Sequence, residues 1–114
     1  MIALLRHFTE FFSWMNSACR GTLRVKFVAD LPDHLERHTL YAIGEEAPWS
    51  AAMICPCGCR SMIQMSLLPD DSPRWKMTIS PLGLLTMAPS IWRTADCRAH
   101  FFLRRGHIVW CVRD

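Results

Sequence analysis

Cys55-Pro56-Cys57-Gly58-Cys59 places three thiols within five residues, and further along Cys97-Arg98-Ala99-His100 offers a thiol and an imidazole three positions apart. Cysteines two positions apart cannot close a disulfide without severe strain. The cluster therefore argues for reduced thiols turned toward a common centre. Zinc is held by four thiolate or imidazole ligands in a tetrahedron, usually from two short ligand groups separated by a longer segment. Pro56 and Gly58 bend the backbone so that neighbouring thiolates can converge. Cys55, Cys57, Cys59, Cys97 and His100 are five candidates for four places, so one zinc ion per chain is expected, with one clustered cysteine spare and its identity open. Cys19 and Cys111 read as packing residues, since free cysteine is often buried.

Reduced thiols point to the cytoplasm, provided that the apolar start of the chain is not an export signal. Arg6, His7 and Glu10 interrupt the first fifteen residues, and no run approaches the ~18 apolar residues of a membrane span. Leu4, Leu5, Phe8, Phe11, Phe12 and Met15 instead recur at three-and-four spacing, opposite Arg6, Thr9, Glu10, Ser13 and Asn16. The spacing predicts an amphipathic helix over residues 1–20, whose apolar face covers the core or a partner chain, with a membrane interface as the lesser alternative. Left exposed, that face would favour self-association.

The chain has 114 residues, which leaves room for one domain and none for a multi-domain enzyme. At 51% hydrophobic and 20% charged it can build a core, which excludes disorder as the main state. Short alternating runs predict strands near residues 23–27, 39–43, 50–54, 62–68, 75–79, 84–87, 101–103 and 108–112. Turn chemistry between them includes Pro69-Asp70-Asp71-Ser72-Pro73 and Arg104-Arg105-Gly106-His107. The expected fold is mainly β, a small antiparallel β-sheet domain over 21–114 behind the N-terminal helix, with Cys55 to Arg60 as a tight connection between two strands.

Catalytic motifs are sparse. Phosphate loops, Gly-x-Ser-x-Gly and His-Glu-x-x-His are missing from the sequence. Four ligands would close the zinc shell, whereas a catalytic zinc keeps an open position and a nearby base. Glu45 and Glu46 have no fixed relation to the cluster, and Cys97 with His100 makes a weak thiol dyad. A zinc or thiol hydrolase is thus the less favoured reading. Arg74, Lys76, Arg104 and Arg105 interleave with aromatics, a mix that suits phosphate contacts and base stacking. On strands the same alternation usually means one wet face and one core face. With a net charge of only +3, nucleic-acid binding stays the alternative.

Taken in order, Cys55-Pro-Cys-Gly-Cys, Ser66-Leu-Leu-Pro69, Pro73-Arg-Trp75, Pro89-Ser-Ile-Trp92, Cys97-Arg-Ala-His100-Phe-Phe-Leu-Arg-Arg-Gly106 and Ile108-Val-Trp110 resemble the bacterial family of unknown function 6527. The resemblance spans residues 22–112 and leaves out the helix. It implies a small zinc-binding β domain without established activity, some members being encoded beside ubiquitin-like modifiers and their activating and conjugating enzymes. Cys55, Cys57, Cys59, Cys97 and His100 match that family's metal motif, and Arg60 stands where its members often carry a second glycine. The expectation is a non-enzymatic zinc module that docks a protein partner as an adaptor in such a pathway.

Overall fold

Short runs that alternate in polarity bury one face only by stacking against another layer. In the computed structural model, which describes residues 2–44, 47–93 and 97–111, they do so as two four-stranded sheets beside one helix. Helix α1 spans Ile2–Arg20. The first sheet holds β1 (Arg24–Val28), β2 (Thr39–Ile43), β3 (Ser50–Ile54) and β4 (Met62–Ser66) in chain order. The second holds β5 (Lys76–Ile79), β6 (Leu85–Trp92), β7 (His100–Arg104) and β8 (His107–Trp110), also in chain order. Every neighbouring pair is antiparallel except β1 and β2, which run parallel with Val25 beside Leu40. The mainly β fold with one N-terminal helix is the one the sequence predicts, in eight strands.

Val25, Leu40, Met53, Ile63 and Met65 of the first sheet bury themselves against Leu85, Met87, Ile91, Phe101 and Leu103 of the second. Each contributes on the order of 2 kcal/mol of transfer free energy. The two sheets are also tied through the β7–β8 turn. Arg105 (φ 48°) and Gly106 (φ 82°) make the two-residue turn with both central residues left-handed, which matches strand twist. The Gly106 N–H donates to the Leu85 carbonyl at 2.6 Å, and the Leu23 N–H donates to the Gly106 carbonyl at 2.8 Å. A Cβ at Gly106 would lie 2.7 Å from the Thr22 Cβ, so this junction takes no larger residue.

Strand β6 runs past the predicted Met87 to Trp92, across Pro89. Between the Met87–Leu103 and Ile91–Phe101 pairs it advances four residues while β7 advances two. The two extra residues form a bulge, a place where a strand tolerates proline and re-aims its side chains.

Of the two places open to the apolar face of the helix, Phe8, Phe11 and Met15 do not take the core, and from residue 8 onward α1 docks through polar side chains instead. Ser13 is fully buried, and its Oγ accepts the Val25 N–H at 2.7 Å. One turn earlier the Glu10 carboxylate accepts the Phe27 N–H at 2.7 Å. Asn16 donates to the Leu82 carbonyl at 2.7 Å, and a Cβ on Gly83 would collide with the Ser13 backbone nitrogen. Meanwhile Phe8 (55%), Phe11 (54%), Trp14 (48%) and Met15 (37%) remain exposed. The physical reason is the edge of β1. An edge strand carries amides without a strand partner, and only polar side chains can satisfy them. Ser13 and Glu10, three apart on the helix, meet Val25 and Phe27, two apart on the strand.

Candidate functional site

The connection between β3 and β4 is closed by the Cys55 N–H donating to the Ser61 carbonyl at 2.8 Å. Gly58 (φ 97°) and Arg60 (φ 66°) turn it in left-handed conformations, so Arg60 adopts the backbone geometry that a glycine would take without strain. The turn points three sulfurs at a fourth. Cys55, Cys57, Cys59 and Cys97 have all their Sγ atoms within 4.8 Å of one another. The Cys55–Cys57 and Cys55–Cys97 separations are 3.4 and 3.6 Å. Zn–S bonds of about 2.3 Å in a tetrahedron put sulfurs roughly 3.8 Å apart, so the four thiols fit a four-coordinate soft or borderline ion. All six cysteines are free.

The four thiols are electrostatically unequal. Burial pushes the Cys55 thiol up to about 12. Hydrogen bonding to Ser61, from the backbone first and then the side chain, brings Cys59 down to about 6. The Ala99 backbone hydrogen bond lowers Cys97. Arg93, which follows β6, lays its Nη1 3.4 Å from Cys59 Sγ and 3.3 Å from Cys97 Sγ. Its guanidinium offsets part of the negative charge that four thiolates would retain around a divalent cation.

The structure therefore gathers all three clustered cysteines with Cys97, in place of a set with one of them spare, and leaves the His100 imidazole outside the group. Residue 97 lies in the loop before β7, whereas His100 begins the strand opposite Trp92. The strand alternation turns His100 and Phe102 away from the core that holds Phe101 and Leu103. On that outward face His100 Nε2 lies 2.9 Å from Ser90 Oγ, within hydrogen-bond reach. The indole of Trp92 stacks on the imidazole, with centroids 5.0 Å apart and planes 20° apart. The Ser90 carbonyl accepts the Trp75 Nε1–H at 3.3 Å. Ser90 stands in the β6 bulge, which lets it reach a histidine that regular pairing would set on the diagonal.

Ser90 was not among the sequence-predicted site residues. Its only signal is a hydroxyl ten positions before a histidine on what proves to be the next strand, and spacing alone does not distinguish that from any surface serine. Of the basic candidates, Lys76 and Arg104 project from this same outward face, and Arg104 lies 4.2 Å over the Phe102 ring. Arg74 precedes β5 and Arg105 occupies the β7–β8 turn. Glu45 and Glu46 lie outside the described residues.

Residues 27–111 match a family model described as the bacterial ubiquitination-like system serine protease, BubE. The chain belongs to that family. The BubE match covers well over half the sequence and begins inside β1, after the helix. The expected association with a bacterial ubiquitin-like system holds, carried by BubE and not by the number 6527. No curated protein and no solved structure matches the chain. No helix among the described residues is long and apolar enough to cross a membrane.

Proposed function

We propose that this BubE chain is a serine hydrolase that cleaves an acyl bond at the end of a ubiquitin-like modifier, with Ser90 as nucleophile and His100 as general base. The observation that carries the reading is the 2.9 Å contact between Ser90 Oγ and His100 Nε2, the distance at which a base can take the proton of the hydroxyl it activates. Ser90 Oγ attacks the carbonyl carbon as its proton passes to His100 Nε2. Collapse of the tetrahedral intermediate breaks the C–N bond, and His100 returns that proton to the departing amine. Water, deprotonated by His100, then frees the acid and restores Ser90. Trp92 holds the ring plane by stacking, and Trp75 pins the Ser90 backbone through its carbonyl. The description of the matched family as a protease supports the same reading. It replaces the expected non-enzymatic adaptor.

In this reading the metal is zinc, one per chain, held by Cys55, Cys57, Cys59 and Cys97, which fix the turn beside β7 and leave catalysis to Ser90 and His100. Four protein sulfurs close the shell, the hallmark of a structural site. Reduced thiols fit a cytoplasmic protein. The fitting unit is the β domain over 21–114, to which α1 adds a docking surface.

The test is a fluorophosphonate probe followed by intact mass and peptide mapping. We expect one adduct, on Ser90, lost in Ser90→Ala and in His100→Ala while both variants keep the wild-type circular dichroism. Labelling at another serine, or unchanged labelling in His100→Ala, overturns the assignment.

One observation favours an added adaptor role. Phe8, Phe11, Met15 and Ala18 follow the alternating three-and-four spacing of a coiled-coil seam, and all are exposed. Their exposed surface with Trp14, on the order of 400 Å² per copy, approaches from two copies the area of a weak dimer. Self-association through α1 predicts a dimer by light scattering that Phe11→Glu converts to monomer. An unchanged monomeric mass in the wild type dismisses it.

A further inference from the structure

Strand β8 is the last strand of its sheet, and the geometry of its hairpin shows which backbone groups it leaves open. The two-residue turn at Arg105-Gly106 makes Arg104 and His107 a mutually hydrogen-bonded pair, so Phe102 and Val109 form the next one. The Cys111 N–H donating to the His100 carbonyl at 3.0 Å continues that alternation. Ile108 and Trp110 fall between these pairs and direct their N–H and C=O groups away from β7. Among the described residues no backbone group pairs with them on that side.

The same two residues pair with Leu103 and Phe101, so their side chains lean toward the core side of the sheet. There they wall a hollow of about 280 Å³ floored by Leu23 and Met53. The rim carries Arg37, His38 and Arg60, and among the described residues no carboxylate lines the hollow. The nearby Glu36 is occupied, its carboxylate 3.2 Å from the Lys26 ammonium. His38 (φ 56°) and Arg60 (φ 66°) both reach the rim from left-handed backbone, a conformation that costs a non-glycine residue energy and that clusters at ligand clamps.

We propose that the open edge of β8 takes up an extended peptide segment as an added strand, with one apolar side chain entering the hollow and acidic neighbours two positions away meeting Arg37 and Arg60. Main-chain bonds to Ile108 and Trp110 supply affinity, and the hollow with its cationic rim supplies selectivity, the division of labour of strand addition. A residue two positions from the apolar one points to the same face, which is where the rim lies. This site is on the opposite face of the sheet from Ser90 and His100 and does not depend on their chemistry.

The experiment uses the full chain carrying Ser90→Ala, so that cleavage cannot intervene, and a fluorescein-labelled peptide Thr-Glu-Thr-Leu-Thr-Glu-Thr read by anisotropy. We expect saturable binding, weakened at least tenfold in Arg37→Glu/Arg60→Glu and at least tenfold when lysine replaces both glutamates. N-methylating the leucine amide and, separately, the following threonine amide separates strand addition from pocket filling. Only one of the two amides can face β8, so one methylation abolishes binding and the other spares it. Three results overturn the proposal: no binding up to millimolar peptide, equal affinity for the lysine peptide, or equal affinity for the two methylated peptides.

Discussion

Replacing Ser13 by alanine removes a single oxygen from the helix, yet the structure makes that oxygen the attachment point of α1. It accepts the Val25 N–H at 2.7 Å with both partners fully buried. Alanine leaves that amide without an acceptor in a place water does not reach, which costs about 1–3 kcal/mol, and alanine's higher helix propensity returns less than about 0.7. The net loss is about 2 kcal/mol, or roughly 8 °C in Tm for a chain of this size. Phe11→Ala should do less. With 54% of Phe11 already exposed, truncation gives up about 1 kcal/mol of remaining burial and regains part of it in propensity. Ordinary amphipathic logic ranks the two changes the other way. The assay is urea denaturation followed by fluorescence and circular dichroism at two protein concentrations, because any effect of Phe11 on self-association depends on concentration and that of Ser13 does not. A Phe11→Ala chain clearly less stable than Ser13→Ala at the lower concentration would refute polar docking of α1.

Zinc addition to the reduced apoprotein at pH 7.4 should release about two to three protons per metal: Cys55 and Cys57, raised above the usual thiol value, give up one each, Cys59 at about 6 gives up almost none, and the lowered Cys97 gives up at most one. Calorimetry in buffers of different ionisation enthalpy measures the number, and acidification must therefore weaken binding; a pH-independent affinity contradicts the assignment. Arg93→Ala should lower zinc affinity about tenfold by removing the cation beside Cys59 and Cys97, as competition against a chromogenic chelator would read. Arg60→Gly should raise stability by about 1 kcal/mol, since glycine takes φ 66° freely, and a lower midpoint in urea would count against the turn geometry.

Strands β2 and β3 were legible to the residue because their apolar runs are bounded by turn residues. The β7–β8 hairpin was legible through Arg105-Gly106. The parallel pairing of β1 with β2 was not, since alternation states which face is buried and nothing about direction. The thiol cluster that could hold a metal was readable, because three of its members are local. The exclusion of His100 was not readable, for it depends on which face of β7 the residue occupies relative to a bulge in β6. Ser90 was hidden for the same reason. Helix α1 was predicted as a helix from its period, but its docking face depends on the unpaired amides of β1, which no property of the helix sequence announces.

That polar seam along β1 also bears on the order in which the molecule assembles. Strands β2–β3–β4 and β5–β6–β7–β8 are antiparallel meanders that close through neighbours in the chain, whereas β1 meets β2 across the intervening segment 29–38 and α1 joins through side-chain bonds that exist only once β1 is extended. Loop-closure entropy favours the meanders first. The segment made before the meanders then settles after them, and its amides at Val25 and Phe27 should exchange with solvent through openings that leave the two meanders intact.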